Sequence, residues 1–311
     1  MNENVIYGMS CFNEYNFREI DCFVCAFHND DRSMEGLRKL VEKGISINKV
    51  IAICYGGYST PKRISDIIEE ERIIEITVAQ GNDFIIGFKN TFADFVGQDV
   101  VIDISCIRTP DVFYIFKLLR LMEYRGHITC LYSVPYDYEY VSGDFEYKAS
   151  MGDLENYDLA GYGGSYNGNA PDSTYVVFLG FEGSLALKVL EEAEYRNLNF
   201  VNGLPPFYQK YKDISVTNNA SAIKGKAYNS VLYTPSDNPF ETYNMLERIF
   251  PNCTSICISP LGSKPVSLGV CLYALEHENV RVVYPISESY SPHLTNEVIK
   301  TWVYDIPIRL T

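Results

Sequence analysis

Short runs of apolar residues alternate with segments of helical periodicity along most of this chain. The first run, Ile20–Phe27, suits a buried strand, and segment 33–44 follows it with apolar residues at helical spacing. The strand-like segment 99–105 and the apolar segment 110–124 show the same order. Strands that alternate with helices are typical of parallel sheets covered by helices on both faces. The pattern therefore predicts an α/β protein with Rossmann-like, mostly parallel sheets.

The order of these elements occurs twice along the sequence. Residues 102–119 (IDISCIRTPDVFYIFKLL) and 256–273 (ICISPLGSKPVSLGVCLY) both contain a strand, a break before proline and an apolar helix. Repetition of this kind indicates a duplicated structural unit. We therefore predict two tandem pseudo-duplicated Rossmann-like halves, over residues 1–140 and 174–311.

The segment between the two halves, residues 141–173, has a different composition. It is rich in Gly, Tyr, Asn, Asp and Ser, which favours a linker or a long ordered loop. Its tyrosines leave open a second interpretation, a lid over a bound ligand. The terminal segment 301–310 is expected to add an edge strand.

Charge and hydropathy argue against several classes of partner. The formal net charge is −14 and no basic stripe is present, so extended binding to nucleic acid is not expected. The sequence contains no apolar run of about 18 residues that would form a transmembrane helix. Because no secretion-signal pattern opens the sequence, we expect a cytoplasmic protein that does not bind membranes.

Metal binding and nucleophilic catalysis find little support in the sequence. Cys22 and Cys25 have the spacing of a zinc or redox pair, but they lie in a strand-like run and no second pair completes a site. The sequence lacks a G-x-S-x-G elbow, and its 4 His residues are scattered. We therefore predict no metal and no cofactor, and we assign no catalytic residue.

The loops that follow the predicted strands hold the candidate ligand-binding residues, because open parallel sheets bind ligands beyond the carboxyl ends of their strands. Gly262, Ser263 and Lys264 combine a close-approach glycine, a hydroxyl donor and a compact positive charge at a helix start, which favours an anion such as phosphate. The same residues also fit an ordinary strand–helix connection with Ser263 as the N-cap. In the first half, Arg108 and Thr109 occupy the matching break, where Arg108 either binds a phosphate or carboxylate or pairs with Asp103 or Asp111.

Four further residues complete the predicted binding set. Asp31 and Glu182 follow the first strand of their halves, where a carboxylate either accepts a ribose hydroxyl or caps the next helix. Tyr132 and Tyr284 lie in the strands after the apolar helices, where their rings would stack on bases.

The stretch 256–275 resembles the strand–[TS]-G-G-T-K-x-M–helix signature of CARF domains, the Rossmann-like nucleotide sensors of type III CRISPR systems. The match consists of Gly262, Ser263, Lys264 and the apolar helix after them. Val266 stands in place of the methionine, and one glycine instead of two precedes the Ser-Lys pair. Two such units in one chain are similar to the SAVED arrangement of fused CARF-like units. The resemblance implies a sensor of a nucleotide second messenger, such as a cyclic oligonucleotide, in bacterial antiviral defence.

Three hypotheses for the function follow. In the first, the chain is a sensing subunit that binds a small nucleotide-like anion between its halves through Lys264 and Arg108, and acts with a protein partner or as a homo-oligomer. In the second, it is an enzyme of nucleotide or nucleoside metabolism that uses Asp30, Asp31 or Glu182 as acid or base. In the third, it is a ligand-free structural subunit whose acidic surface meets a basic partner.

Overall fold

The computed structural model describes residues 8–27, 30–56, 64, 67–78, 81–138, 149–290 and 295–306. The chain forms two compact units, one of residues Met1–Tyr138 with Pro292–Thr311 and the other of Glu139–Ser291. In both units helices pack against a sheet of mostly parallel strands, which confirms the predicted α/β class.

The elements are named in chain order. The strands are β1 (Gly8–Cys11), β2 (Ile20–Phe27), β3 (Ile47–Tyr55), β4 (Ile73–Val78), β5 (Val100–Asp103), β6 (Ile128–Tyr138), β7 (Ser150–Asp158), β8 (Thr174–Phe178), β9 (Asn197–Gly203), β10 (Ser230–Thr234), β11 (Ile256–Pro260), β12 (Val280–Tyr290) and β13 (Thr295–Ile306). The α-helices are α1 (Glu35–Glu42), α2 (Gly81–Phe92), α3 (Thr109–Leu121), α4 (Gly183–Glu191), α5 (Gln209–Asn218), α6 (Ala220–Gly225), α7 (Pro239–Ile249) and α8 (Lys264–Glu276). None of the helices in the described ranges is long and apolar enough to cross a membrane.

Both sheets arrange their parallel strands in the same order. The first sheet has the order β1-β13-β6-β5-β2-β3-β4, and the second has the order β10-β9-β8-β11-β12-β7. In each, the first parallel strand of the unit lies at the centre, the second and third follow on one side, and the fourth and fifth follow on the other. This is the strand order of Rossmann folds. The repeated order confirms the two Rossmann-like halves predicted from the sequence.

Each unit also contains an antiparallel strand beside its fifth parallel strand, and the chain exchanges these two strands. β7 follows β6 in sequence but pairs with β12 of the second unit. β13 follows β12 in sequence but pairs with β6 of the first unit. Part of the expected linker, segment 141–173, is therefore a strand. The terminal segment, expected at an edge and in the second half, lies between β1 and β6 in the first unit, where Val303 and Tyr304 are buried.

Burial explains why the apolar runs form strands. Phe23, Cys25 and Phe27 of β2 pack in one core with Leu37 and Leu40 of α1. The residues between them point to the opposite face of the sheet, because side chains alternate along a strand. Each fully buried Phe or Leu side chain contributes about 1.5–3 kcal/mol to the free energy of unfolding. The apolar runs are thus covered on both faces, as expected for a parallel sheet.

The pattern does not predict helix α2, although its sequence holds a signal. Phe84, Phe88 and Phe92 recur every four residues and are fully buried. Their rings stack at centroid distances of 5.6 and 5.0 Å. This spacing is typical of the buried face of a helix. The pattern likewise misses β1, β10, α5 and α6, which are short or largely polar.

Candidate functional site

The strand order of the second sheet reverses between β8 and β11, because β8 leads to β9 on one side of this point and β11 leads to β12 on the other. This reversal at the carboxyl edge is the switch point of the sheet. Gly180 follows β8, and Leu261 follows β11. A Cβ atom at Gly180 would lie 2.1 Å from the backbone oxygen of Leu261, so a larger residue would clash there. The two loops are therefore in contact, and a ligand at this edge would meet both of them.

Helix α8 begins in the second of these loops. The Oγ of Ser263 accepts a hydrogen bond from the backbone N–H of Val266 at 3.4 Å, and the hydroxyl donates to the backbone oxygen of Ser236. Lys264 is the first helical residue, and Gly262, Ser263 and Lys264 are partly exposed while the body of the helix is buried. The start of this 13-residue helix carries a partial positive charge, to which Lys264 adds a full one. The loop is an N-capped connection whose electrostatics also suit an anion.

Side chains from α5 and the residue after it fix the first loop. Ser215 Oγ and Asn219 Nδ2 donate to the backbone oxygen of Gly180 at 3.2 and 2.7 Å. Asn218 Nδ2 donates to the backbone oxygen of Phe181 at 2.7 Å. These hydrogen bonds fix the orientation of the Gly180 and Phe181 carbonyl groups. Sequence patterns do not indicate these three residues, because their contacts join positions 35, 37 and 39 residues apart in the chain.

Glu182 forms hydrogen bonds within the protein. Its carboxylate is buried and accepts from the backbone N–H of Ser150 at 3.2 and 3.3 Å and from the Ser150 hydroxyl at 3.1 Å. The hydroxyl of Ser184 donates to it at 3.3 Å. Burial raises the pKa of Glu182, while the Ser150 hydrogen bonds act in the opposite direction. The carboxylate thus anchors the start of β7. In this arrangement it accepts hydrogen bonds from the protein rather than from a ribose hydroxyl.

Tyr284 lies near the carboxyl edge of the second sheet. Val282 of β12 pairs with Ile258 of β11, and Tyr284 is two residues further toward that edge. Its ring is partly buried against the core that contains Leu185 and Leu261. The structure therefore places Tyr284 in the neighbourhood of the α8 loop, with part of its surface accessible. The stacking of its ring on a base stays a prediction.

In the first unit, the start of α3 is filled by the protein's own side chains. The hydroxyl of Tyr55 donates to Asp111 Oδ2 at 2.6 Å and accepts from the backbone N–H of Arg108 at 3.2 Å. The guanidinium of Arg108 lies over the Tyr55 ring, 4.0 Å from its centroid. Burial, and then the charge of Asp111, raise the pKa of Tyr55. The negative charge that this helix start favours is supplied internally by Asp111.

The two helix starts also define the residue correspondence between the halves. Both helices have 13 residues and carry a proline as their second residue. Thr109 therefore corresponds to Lys264, and Arg108 corresponds to Ser263. Thr109 is buried. The first unit consequently has no lysine at the position that Lys264 occupies in the second.

A buried charged pair follows β2 at the carboxyl edge of the first sheet. Arg32 Nε and Nη2 donate to the two oxygens of Asp30 at 3.0 and 2.9 Å, and Thr295 Oγ1 donates to the same carboxylate at 2.9 Å. Burial opposes the charge of Asp30, but Arg32 outweighs it and lowers the pKa of Asp30. Tyr132 is only 1% exposed, so its ring is not accessible for stacking on a base. The predicted residue Asp31 has its side chain outside the described part of the chain.

Asp103 is a second buried carboxylate at this edge. Its Oδ1 accepts from the backbone N–H of Ser105 at 3.0 Å, while its Oδ2 has no hydrogen-bond partner among the described residues. A Cβ atom at Gly36 would lie 2.3 Å from Oδ2, so the first turn of α1 packs directly on the carboxyl group. Burial raises the pKa of Asp103 to about 6, against the effect of the Ser105 hydrogen bonds. From the sequence, Asp103 is expected only as an alternative ion-pair partner of Arg108.

The two cysteines with metal-like spacing cannot act together. Cys22 and Cys25 are three residues apart in β2, so their side chains point to opposite faces of the sheet. Burial raises the pKa of both thiols, which keeps them protonated. Across the described ranges, no three His, Cys, Asp or Glu side chains come close enough to hold a metal ion.

Comparisons with known proteins identify no family. No family model matches the chain, and no curated protein matches it. Among solved structures, the chain is similar to CobK precorrin-6A reductase (8% identity, TM-score 0.26, covering 87% of this chain and 90% of that one). It is also similar to the cytoplasmic domain of a prokaryotic cation chloride cotransporter, with 9% identity and a TM-score of 0.25, covering 86% of this chain and 96% of that one. A third similar structure is an N-terminal ketoreductase from a macrolactin assembly line, with 10% identity and a TM-score of 0.24, covering 88% of this chain and 72% of that one. Likeness this low says nothing about function.

Proposed function

We propose that this chain is a ligand-sensing or regulatory subunit that binds a nucleotide-type anion at the carboxyl edge of its second unit. The observation that carries the proposal is the start of α8, where Gly262, Ser263 and Lys264 are partly exposed together. The backbone N–H groups of a helix start and an ammonium group at one point are donors that bind phosphate groups. The Ser263 hydroxyl, which donates to the backbone oxygen of Ser236, fixes the loop that carries them. The corresponding helix start in the first unit is filled by Tyr55 and Asp111.

The resemblance to CARF domains supports a particular class of ligand. Its signature falls on Gly262, Ser263 and Lys264, the residues that lie at the helix start. A cyclic oligonucleotide is therefore the ligand that we propose to test first. A role in antiviral defence, a cytoplasmic location and a protein partner or second copy that receives the signal belong to the same proposal.

Calorimetric titration with cyclic oligonucleotides, linear oligonucleotides, ATP and inorganic phosphate tests the proposal. The wild-type chain should show saturable binding of at least one nucleotide. Lys264→Ala should weaken that binding about 10- to 100-fold, because hydrogen bonds to charged groups are worth about 1.5–3 kcal/mol. Lys224→Ala is the matched control, since Lys224 is an exposed lysine at the end of α6.

Two outcomes would contradict the proposal. The first is the absence of saturable binding by the wild-type chain across the panel. The second is equal affinity of Lys264→Ala and Lys224→Ala, which would show that the charge at the start of α8 is not part of the site. Thermal unfolding of both variants establishes that each is folded before its affinity is compared.

A further inference from the structure

Strand β10 forms one edge of the second sheet. Among the described strands it pairs only with β9, in parallel register. None of its first four residues is buried, and Tyr233 is 53% exposed. An edge strand presents unpaired backbone N–H and C=O groups to other chains unless something protects it. The open side of β10 is therefore a surface on which a second strand can pair.

The two longest edge strands of the described sheets carry protection that β10 lacks. Strand β4 has the exposed Glu75, and three further glutamates precede it at positions 69–71. Strand β7 contains three acidic residues, and its register with β12 shifts once. Charges and bulges of this kind keep a sheet edge from pairing with another molecule. The sequence of β10, SVLYT, contains no charge and no proline, and its register with β9 is regular.

The direction of the backbone groups in β10 determines which residues can pair with another strand. Leu204, the residue after β9, donates its backbone N–H to the backbone oxygen of Thr234 at 2.7 Å. The backbone groups of Thr234 therefore point toward β9. Because these groups alternate in direction along a strand, those of Val231 and Tyr233 point outward, to the open edge.

The sequence of β10 is self-complementary in an antiparallel pair. When two copies meet with Leu232 on a two-fold axis, Val231 of each copy lies opposite Tyr233 of the other. Their outward backbone groups then form the hydrogen-bonded pairs of the ladder. A β-branched residue opposite an aromatic residue is a favourable cross-strand pair, and so is Ser230 opposite Thr234. This arrangement is the isologous geometry that most homodimers use.

Exposed apolar side chains continue this surface at both ends of β10. Tyr228, two residues before the strand, is 44% exposed, and its ring packs edge-to-face on Phe200 at a centroid distance of 5.5 Å. Leu204, which is hydrogen-bonded to Thr234, is 39% exposed. A stable interface buries about 1,200–2,000 Å² of surface, which is more than a five-residue strand supplies alone. The flanking side chains provide further apolar area beside the strand.

Charge also favours contact between two copies at this edge. The chain has a formal net charge of −14, so two copies repel each other over much of their surface. Residues 223–236 are an exception, because they contain Lys224 and Lys226 and no acidic residue. Two copies therefore meet with less repulsion at β10 than at the acidic edge strands β4 and β7.

We propose that this chain forms a two-fold symmetric homodimer in which the β10 strands of two copies pair antiparallel. The pairing joins the two six-stranded sheets into one continuous sheet. This inference deepens the proposed function and rests on it for its role, because the second copy is then a receiver of the signal. The contact itself involves no ligand.

Charge exchange at Leu232 tests the dimer in the full chain. Analytical ultracentrifugation over a range of protein concentrations should show the wild type in a reversible monomer–dimer equilibrium. Leu232→Lys and Leu232→Glu each place like charges opposite each other on the two-fold axis, so each alone should raise the dissociation constant about 10-fold or more. An equimolar mixture of the two variants should restore the dimer, because opposite charges then face each other. Met151→Lys is the matched control, since Met151 is an exposed apolar residue on the other edge strand of the same sheet.

Three results would overturn the inference. They are a wild-type chain that stays monomeric at every concentration, Leu232 variants that dimerise as well as the wild type, and a mixture of these variants that stays monomeric. Tyr233→Ala provides a second test if circular dichroism shows that a charge at Leu232 unfolds the chain. Truncation of this exposed ring should leave the fold intact and weaken the dimer, and an unchanged dissociation constant would count against β10 as the contact. Nucleotide titration is a separate measurement, so failure of the dimer and failure of the ligand site are distinguishable.

Discussion

The two units share one strand order but differ where the helix after the fourth parallel strand begins. In the first unit, Tyr55 at the end of β3 reaches Asp111 and the backbone of Arg108, so the start of α3 is satisfied internally. In the second unit, Gly203 is at the end of β9, and Lys264 at the start of α8 is partly exposed. In a duplicated fold, side chains of the protein can therefore satisfy a helix start in one copy, while the corresponding helix start of the other copy stays partly exposed.

The units also differ in how the chain builds them. The second unit is a single continuous segment, Glu139–Ser291, which contains every strand of its sheet. The first unit needs β13 from the end of the chain to cover β6. The exchange of β7 and β13 thus makes only one of the two units independent of the rest of the sequence.

Separating the units should have the largest effect. We expect fragment 139–291 to unfold cooperatively, whereas fragment 1–138 lacks the buried side chains of Val303, Tyr304 and Ile306. Their loss costs about 5–9 kcal/mol, which is comparable with the roughly 5–15 kcal/mol that stabilises a whole domain. Circular dichroism during urea denaturation measures the difference.

Adding a peptide of residues 292–311 provides the control for this prediction. The peptide should restore a cooperative transition to fragment 1–138, because it supplies the missing strand. A cooperative transition in fragment 1–138 alone would show that β13 is dispensable and that the units are equivalent.

Removing the Tyr55 hydroxyl, which is hydrogen-bonded at the start of α3, should have the next largest effect. Tyr55→Phe removes the donor to the buried Asp111 carboxylate and the acceptor for the Arg108 N–H. We expect the free energy of unfolding to fall by about 2–3 kcal/mol. Ser263→Ala, at the corresponding helix start of the second unit, removes the N-cap and the donor to the backbone oxygen of Ser236, and should cost about 1–2 kcal/mol. Equal losses in urea denaturation would mean that the two helix starts are not different in kind.

These contacts mark the limit of what the sequence predicts. The α/β class, the duplication and the N-cap at Ser263 follow from local patterns, because apolar periodicity and turn residues act over a few positions. The contact from Tyr55 to Asp111 spans 56 residues, and nothing near Tyr55 in the sequence indicates it. The pairing of β7 with β12 is equally non-local. The β7 sequence, SMGDLENYD, predicts a strand no better than a loop and does not indicate which strand it pairs with.

The buried polar groups of the two sheets differ in charge, and pH should reveal the difference. Within the described ranges, Asp103 has one oxygen without a hydrogen-bond partner. Ser259 of β11, in contrast, is neutral, donates to the backbone oxygen of Val283 at 2.9 Å and is hydrogen-bonded to Tyr175. Burial raises the pKa of Asp103 from an ordinary 3.8 to about 6, so folding favours the protonated carboxyl. The stability present below pH 3.8 is lost as the pH rises through about 6.

Asp103→Asn should remove this pH dependence. The variant should equal the wild type near pH 4 and exceed its free energy of unfolding by about 2–3 kcal/mol above pH 7, the equivalent of a two-unit shift in pKa. Urea denaturation from pH 4 to pH 8 measures it. A constant difference over that range would mean that Asp103 does not titrate there.

The smallest effect concerns the strand that the first unit takes from the end of the chain. His127 Nε2 contacts Asp305 Oδ1 of β13 at 2.5 Å, and this hydrogen bond raises the pKa of His127 above 6.5. The resulting stability is present below pH 6.5 and is lost as the pH rises through the raised value. Because both side chains are more than a third exposed, the contribution should be at most about 1 kcal/mol. His127→Gln should therefore lower the free energy of unfolding at pH 5.5 and leave it nearly unchanged at pH 8.5.

If Asp305 is the partner, adding Asp305→Asn to His127→Gln should cause no further loss at pH 5.5, whereas additive losses would assign the effect of His127 to another group.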